Sequence, residues 1–409
     1  MSRPWQSWSL NRADRLAAGL LLAGVPLVYS PLTVELLPQK ALVFALALPF
    51  IGRRGSRLAA GALLVGAAIA SIRPQTPWEI LALAAAPAAW GVLRRTGVQA
   101  NARTITIAAW ILCALAGLQL LGVDPFGGST RAFDLDYAVL TATLGNPNHL
   151  GAWLVLVAPF VTGPTLAAIA VTTALTRSSL AIGALALHLI LRAHWRWQRL
   201  ALAGALACGI AYKAQPLART AEARVRLAGE FGQLLDARTV ITGVGPGSLR
   251  ASYMARHPGT LEDPRHPHND PLRLVLVWGL PVCAALGLGL LFRLRGPPRW
   301  DAWLPAAALA LGATVIGDPA TWALILAHAA RDFAPARPTC ATSRFVPPLA
   351  AAFIVLCTLW CAEGVSQRRV LGAMAAGEPL PAADVERVRS WPFDPVLSAW
   401  LTEEGGAGR

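Results

Sequence analysis

The feature that most constrains this chain is a succession of long apolar runs separated by short stretches that carry arginine. Hydrophobic residues fill 55% of the 409 positions and charged residues only 14%. An average soluble chain carries about 25% charged residues, so the polar surface that a water-exposed fold needs is missing. Runs this apolar suit helices that satisfy their own backbone inside a bilayer. The fold class read from the sequence is therefore all-α, a polytopic transmembrane bundle of about 12–13 spans.

The runs place spans near 14–30, 40–52, 57–72, 77–93, 104–121, 148–163, 164–176, 178–191, 199–213, 271–292, 302–317, 319–330 and 346–364. Several are shorter than the roughly 20 residues of a full crossing. The stretch 148–191 accommodates three short, tilted or broken helices, or one span and a re-entrant segment. The first run lacks a small-residue cleavage site after it and reads as a retained span, not a removed signal.

Basic residues give the sidedness. The net charge of +14 is almost all arginine, since lysine occurs only at Lys40 and Lys213. One set of short connections holds Arg53, Arg54 and Arg57; Arg94, Arg95 and Arg103; Arg192, Arg196 and Arg199; Arg293, Arg295 and Arg299; Arg331, Arg337 and Arg344. The opposite set holds little beyond Lys40, Arg73 and Arg131. The positive-inside rule puts the first set, and the N-terminus with Arg3, Arg12 and Arg15, in the cytoplasm. The long segment of about 214–270 and the C-terminus then lie outside. Clusters between apolar runs report topology and anionic lipid, so nucleic acid is not an expected partner.

Two units follow: residues 1–365 as the membrane domain with its external loop, and 366–409 as a short soluble helical tail, external. The tail faintly resembles a single tetratricopeptide-like hairpin, which cannot bury its own face and has to pack on the bundle or on a partner. The six cysteines (113, 208, 283, 340, 357 and 361) avoid the loop, and five lie in apolar runs. Neither a disulfide framework nor a metal cluster is expected, and no cofactor.

Chemistry concentrates in a few polar places. The loop ends in "EDPRHPHNDPLRLVLVWGLPV", where Arg265, His266, His268, Asn269 and Asp270 crowd the start of an apolar helix. Pro271 suits the first helical turn and Asp270 suits the cap. These residues read either as an interfacial cap or as a histidine fixed at the membrane surface to take a proton from a hydroxyl. Arg177 in "ALTRSSLAIG" interrupts an apolar stretch; an arginine at membrane depth costs roughly 2.5–3.5 kcal/mol on insertion scales. It reads as a snorkelling boundary residue or as an anion clamp that grips phosphate through two parallel hydrogen bonds. Asn146 and Asn148 in "TLGNPNHLGAWL" make a turn and cap, with His149 beside them. Arg219, Arg224 and Arg226 lie on an amphipathic loop helix that rests on the membrane surface. "GVGPGS" at 243–248 lacks the Lys-Ser/Thr of a phosphate loop and reads as a glycine turn returning the chain to the bundle.

Together these pieces resemble the O-antigen ligase family of bacterial membrane glycosyltransferases, which includes O-antigen polymerases and protein O-oligosaccharyltransferases. The resemblance covers roughly residues 100–290: "GNPNHLGAW", "LTRSS", the arginine-rich helix before "GVGPGS", and "HPHNDPLRLVLVWGLPV". Its most specific part is a His, then Asn, Ser or Gln, then nine residues, then Gly, met here by His268, Asn269 and Gly279. The resemblance implies an inverting, metal-independent transfer of a glycan from a polyprenyl-pyrophosphate donor, of the undecaprenyl type, on the outer face of a bacterial inner membrane. The acceptor would be lipid A core (lipopolysaccharide biosynthesis), another glycan, or a protein hydroxyl. His268 matches the catalytic histidine and Arg177 the arginine that holds the donor pyrophosphate. The family's loop arginine falls at Arg224 or Arg226, with Arg226 preferred; Arg224, Arg265, Asn269, Asn146 and Asn148 join as substrate-binding candidates. Three other readings stand beside it: a polymerase of the same class; a transporter of lipid-linked polysaccharide precursors, which predicts internal repeats that the sequence does not display; and a structural membrane scaffold without chemistry, for which His268→Ala and Arg177→Ala would be silent beyond folding.

Overall fold

Prolines and short polar side chains set where the helices begin. Asn146, Ser178, Asp236 and Asn269 sit at N-caps with a side-chain oxygen accepting a backbone N–H. Pro147, Pro164, Pro271 and Pro319 occupy first-turn positions, where a missing N–H costs nothing. The computed structural model describes residues 12–28, 37–48, 77–123, 125, 140–144, 146–193, 214–245, 248–257, 269–291, 299–312, 318–332, 346–376, 378–390 and 401. Among them every regular element is a helix, so the all-α expectation holds.

The first helix runs Arg12–Gly19 and continues through a π-helical turn, Leu20–Gly24, into Val25–Leu27. Leu37–Ala47, Pro77–Ala84, Ala86–Thr96 and Val98–Leu120 follow. Pro147–Val157, tightening to a 3₁₀ turn at Ala158–Phe160, precedes Gly163–Leu175 and Ser179–Arg192, so the stretch 148–191 holds three short helices. The loop contributes Ala214–Gly232, Ala237–Thr242 and Leu249–Arg256. Asp270–Trp278, Leu280–Leu291, Trp300–Gly312, Pro319–Asp332, Val346–Ala376 and Ala382–Ser390 complete the order. The spans expected at 57–72 and 199–213 lie outside the described residues. Two expected spans are broken: 77–93 bends at Ala85, and 271–292 is interrupted at Gly279, whose φ is +79°. Among the described residues Val98–Leu120, of 23 residues and mean hydropathy 1.5, is the helix long and apolar enough to cross a membrane; Gly163–Leu175 and Ser179–Arg192 are shorter apolar helices.

Pro147–Val157 lies at the centre, with every side chain from Leu150 to Val157 buried and Trp153 fully so. Alanines such as Ala85, Ala89, Ala108, Ala109 and Ala181 fill the seams, and their small volume lets backbones approach closely. The chain alternates between two ends. At one, Arg95 grips Asp14 at 2.8 Å, His188 Nδ1 donates to the Asp301 carbonyl at 2.5 Å, and Arg192 donates to Val161 O at 3.1 Å. There too His328 Nε2 donates to Leu156 O at 2.7 Å and Arg331 Nη2 to His328 Nδ1 at 3.2 Å. His328, Arg192 Nη1 to Ala158 O at 3.4 Å and Arg331 Nη1 to Pro159 O at 3.4 Å serve carbonyls left unpaired at the end of the central helix. At the other end Thr143 Oγ1 donates to Pro26 O at 2.5 Å, Gln119 Oε1 accepts the amides of Thr141 and Ala142, and Lys40 pairs with Asp318 at 3.5 Å.

The boundary expected at 365/366 falls inside one helix, Val346–Ala376, so the tail begins as a continuation of the last apolar run. Ala382–Ser390 folds back onto that extension: Ser366 Oγ donates to Asp384 Oδ1 at 2.9 Å, and Val370, Val388 and Leu401 share a small apolar cluster. Part of the tail's apolar face is thus covered by its own chain, while Leu371, Met374 and Leu380 stay exposed.

Candidate functional site

The Asn-Pro-Asn stretch opens the central helix. Asn146 has an extended backbone, and its Oδ1 accepts the Asn148 N–H at 2.8 Å, which satisfies one of the unpaired first-turn amides. One turn on, Gly151 meets the connection between the next two helices. A Cβ there would lie 2.6 Å from Ala181 Cβ, 3.3 Å from Thr176 Oγ1 and 3.4 Å from Ser178 Cβ. No side chain fits, so the structure brings "GNPNHLG" and "LTRSS" into direct contact, although the sequence separates them by some thirty positions.

The turn itself is tightly specified. Thr176 Oγ1 donates to Thr173 O at 2.7 Å and accepts the Ser178 N–H at 3.3 Å; Ser178 Oγ accepts the Ala181 N–H at 3.4 Å. Between them Arg177 has φ +57°, a left-handed conformation rare for a residue with a Cβ. Arg177 falls between the expected spans 164–176 and 178–191, and it stands in the turn between the helices Gly163–Leu175 and Ser179–Arg192, exposed, at the Asn146 end of the bundle, as a boundary position requires. Three consecutive residues with hydroxyl or charged side chains close the turn locally.

Beside this turn a cavity of about 450 Å³ runs between Val98–Leu120 and Gly163–Leu175. Trp110, Cys113, Gly117, Val171, Thr172 and Leu175 line it, and Leu175 lies two residues from Arg177.

The loop forms a second group of candidates. In Ala214–Gly232, Arg224 is half-buried, and that burial lowers its pKa from the ordinary arginine value. Arg226 is exposed, with Nε 3.9 Å from Glu230 Oε1, and Tyr253 Oη donates to Glu230 Oε2 at 2.6 Å. Tyr253 is fully buried, its ring 4.6 Å from those of both Phe231 and His257. The amide of Thr239 bonds to the Asp236 cap and holds that carboxyl below its usual range. Arg219 lies on the same helix, and Arg226 keeps its place there as expected.

The loop is fastened to the helix Asp270–Trp278 by backbone. Val244 N–H donates to Leu276 O at 2.7 Å and Gly245 N–H to Val277 O at 3.1 Å. Phe231, Leu249, Tyr253, Leu276 and Val277 bury one another, and Trp278 packs against both this cluster and the bundle core. Of the glycine turn expected at 243–248, the described residues 243–245 lie against the end of the helix Asp270–Trp278. At the helix start the expectation needs one correction: the cap is Asn269, whose Oδ1 accepts the Leu272 N–H at 2.9 Å. Asp270 is the first helical residue and is buried, in the turn where the helix dipole favours a carboxylate. Arg265, His266 and His268 lie outside the described residues.

Sequence reasoning missed the Lys40–Asp318 pair, both partners almost wholly buried, and the Glu230–Tyr253 bond that sits beneath Arg226. One signal was available for the first: Lys40 is one of two lysines in the chain, and Asp318 stands alone between two apolar runs. Comparison with family models, with curated proteins and with solved structures returns no match.

Proposed function

We propose that this protein is a polytopic inner-membrane glycosyltransferase that moves a glycan from a polyprenyl-pyrophosphate donor to an acceptor hydroxyl on the outer face. The observation that carries the reading is the clamping of the Arg177 turn onto the Gly151 turn of the Asn-Pro-Asn helix. A strained backbone persists where its surroundings over-determine it, and such strain clusters at functional sites. A fixed backbone at Arg177 with an exposed guanidinium suits a diphosphate whose charge grows as it leaves.

Three further points support it. The cavity beside Arg177 is apolar and lies between helices, which suits a prenyl chain whose pyrophosphate stops at the arginine. The polar contacts that cross between helices join ends assigned to the same side: Asp14 with Arg95 and His188 with the Asp301 carbonyl at one, Lys40 with Asp318 at the other. That agreement is consistent with a multi-pass arrangement, for which the arginine distribution supplies the orientation. The apolar side chains of Ile107, Ile111, Leu118 and Val171 are exposed, as a lipid-facing surface requires.

The chemistry balances without a nucleotide. The acceptor oxygen attacks the anomeric carbon, His268 takes its proton, and the bond from that carbon to the pyrophosphate oxygen breaks with inversion. Arg177, with Arg226 from the loop, receives the polyprenyl pyrophosphate as its charge develops. Asn146, Asn148, Asn269, Arg224 and Arg265 are assigned to holding the sugar and the phosphates. The acceptor is a lipid A core, a second glycan or a protein hydroxyl.

The test is glycan transfer in membranes supplied with lipid-linked oligosaccharide, comparing wild type, His268→Ala and Arg177→Ala at matched expression. Loss of transfer in both, with His268→Ala still binding donor, is the expected result. Full activity in His268→Ala would sink the reading and favour a transporter of the same precursor.

A further inference from the structure

We propose that the short loop helix Ala237–Thr242 is seated in the outer leaflet, with Ile241 inserted among the phospholipid acyl chains as an anchor for the loop. The proposal rests on the membrane reading above and adds a lipid contact to it. Its occupant is the bilayer itself.

The argument starts from backbone contact. A Cβ on Gly279 would lie 2.3 Å from Ile241 O, so the two chains touch there without room for a methyl group. A Cβ on Gly243 would lie 2.2 Å from Val277 O, which closes the same contact from the other side. Ile241 is therefore held one residue's breadth from Leu280, where the apolar helix Leu280–Leu291 begins. Ile241 is 62% exposed, Leu280 52%, and Leu288 lower on that helix 53%. Exposed side chains on a membrane helix face lipid, and Ile241 extends that apolar surface onto the loop.

The rest of the helix suits the headgroup layer. Thr242 Oγ1 donates to Arg238 O at 3.0 Å, so its hydroxyl is satisfied without water. Arg238, three residues before Ile241, is exposed and within reach of lipid phosphates. Asp236, exposed, caps the helix at the end away from Ile241. Ile241 thus lies toward one end of the helix and the charged Arg238 and Asp236 toward the other, as a segment seated at an interface requires.

Spin labels test this in the full-length chain with its six native cysteines replaced, reconstituted in nanodiscs of zwitterionic and anionic phospholipid. Labels go at Ile241→Cys, at Leu288→Cys as the lipid control and at Arg256→Cys as the water control, and collisions with oxygen and with a nickel chelate are compared. Oxygen dominating at Ile241 and Leu288, with nickel dominating at Arg256, is the expected result. Nickel dominating at Ile241 while oxygen dominates at Leu288 overturns the anchor and leaves the membrane reading intact. Ile241 shielded from both reagents also overturns it, in favour of a protein such as a second copy of the chain. Nickel dominating at Leu288 overturns the membrane reading and the anchor together.

Discussion

Gly243 and Gly279 lie across one contact, each with its α-carbon pressed on the backbone that precedes the other. A Cβ on Gly243 would sit 2.2 Å from Val277 O, and one on Gly279 would sit 2.3 Å from Ile241 O. Both have positive φ with ψ near 160–170°, at +70° and +79°, a region open essentially to glycine alone. Gly279 is also the last residue of the His-Asn-nine-Gly spacing, so that spacing has a physical meaning. It measures the helix from the Asn269 cap to the point where the loop locks on.

Substitution at either glycine is therefore expected to release the loop. Gly279→Ala or Gly243→Ala adds backbone strain of about 1–3 kcal/mol and a contact that only backbone movement can relieve. The hydrogen bonds from Val244 and Gly245 to the helix end are lost with it. Limited proteolysis of the folded protein, read by fragment mass, should show faster cleavage within residues 214–268 in both variants. Gly97, which also has positive φ but no atom within 4 Å of a Cβ, is the control: Gly97→Ala should leave that cleavage rate unchanged.

Gly151 makes a second close approach, and here the neighbour is a side chain that can be trimmed. Gly151→Ala places a methyl 2.6 Å from Ala181 Cβ and should cost roughly 1–3 kcal/mol by overpacking. Adding Ala181→Gly removes the opposing methyl, and the double variant should recover most of the lost thermal stability and donor binding. A double-mutant cycle on melting temperature measures this coupling; simple additivity of the two changes would show that the turn and the helix are not packed as described.

Arg177 offers a way to separate conformation from charge. Arg177→Gly removes left-handed strain but loosens the unfolded chain, so stability should change by no more than about 1 kcal/mol. If the guanidinium holds the donor pyrophosphate, transfer should nevertheless fall by roughly 100-fold. Arg177→Lys keeps a charge without the two-pronged geometry and should fall between the two. Wild-type transfer by Arg177→Gly would reduce the residue to a turn former.

What the sequence revealed, and what it hid, follows from range. The apolar runs report burial averaged over many residues, and each described helix of the bundle falls on one. Asn146 was legible because capping is local, decided within two or three residues. The break at Gly279 was not, because a helix interrupted for a partner looks apolar on both sides; only the distant loop residues Gly243–Gly245 explain it. The cap at the start of that helix was misplaced by one residue, since Asn269 and Asp270 are both good caps and Pro271 fits the first or second helical position. Choosing between them requires knowing that Asp270 is buried, which is a tertiary fact.

The same applies to Lys40 and Asp318, 278 residues apart, and they give the last expectation. Each is almost wholly buried, at 2% and 6% side-chain exposure. Asp318 Oδ2 also accepts the Thr321 N–H at 3.3 Å, at the start of Pro319–Asp332. Removing one partner leaves a buried charge, and Lys40→Met alone should lose about 3–5 kcal/mol. Pairing it with Asp318→Asn removes both charges while keeping an oxygen for Thr321. That double variant should melt close to wild type, because replacing a buried ion pair with neutral groups is often without cost. Thermal unfolding in detergent, followed by the buried tryptophans, distinguishes the two. A double variant as unstable as Lys40→Met would mean that the charges do more than hold each other, and would make the pair a candidate for direct substrate contact at the Arg177 end of the bundle.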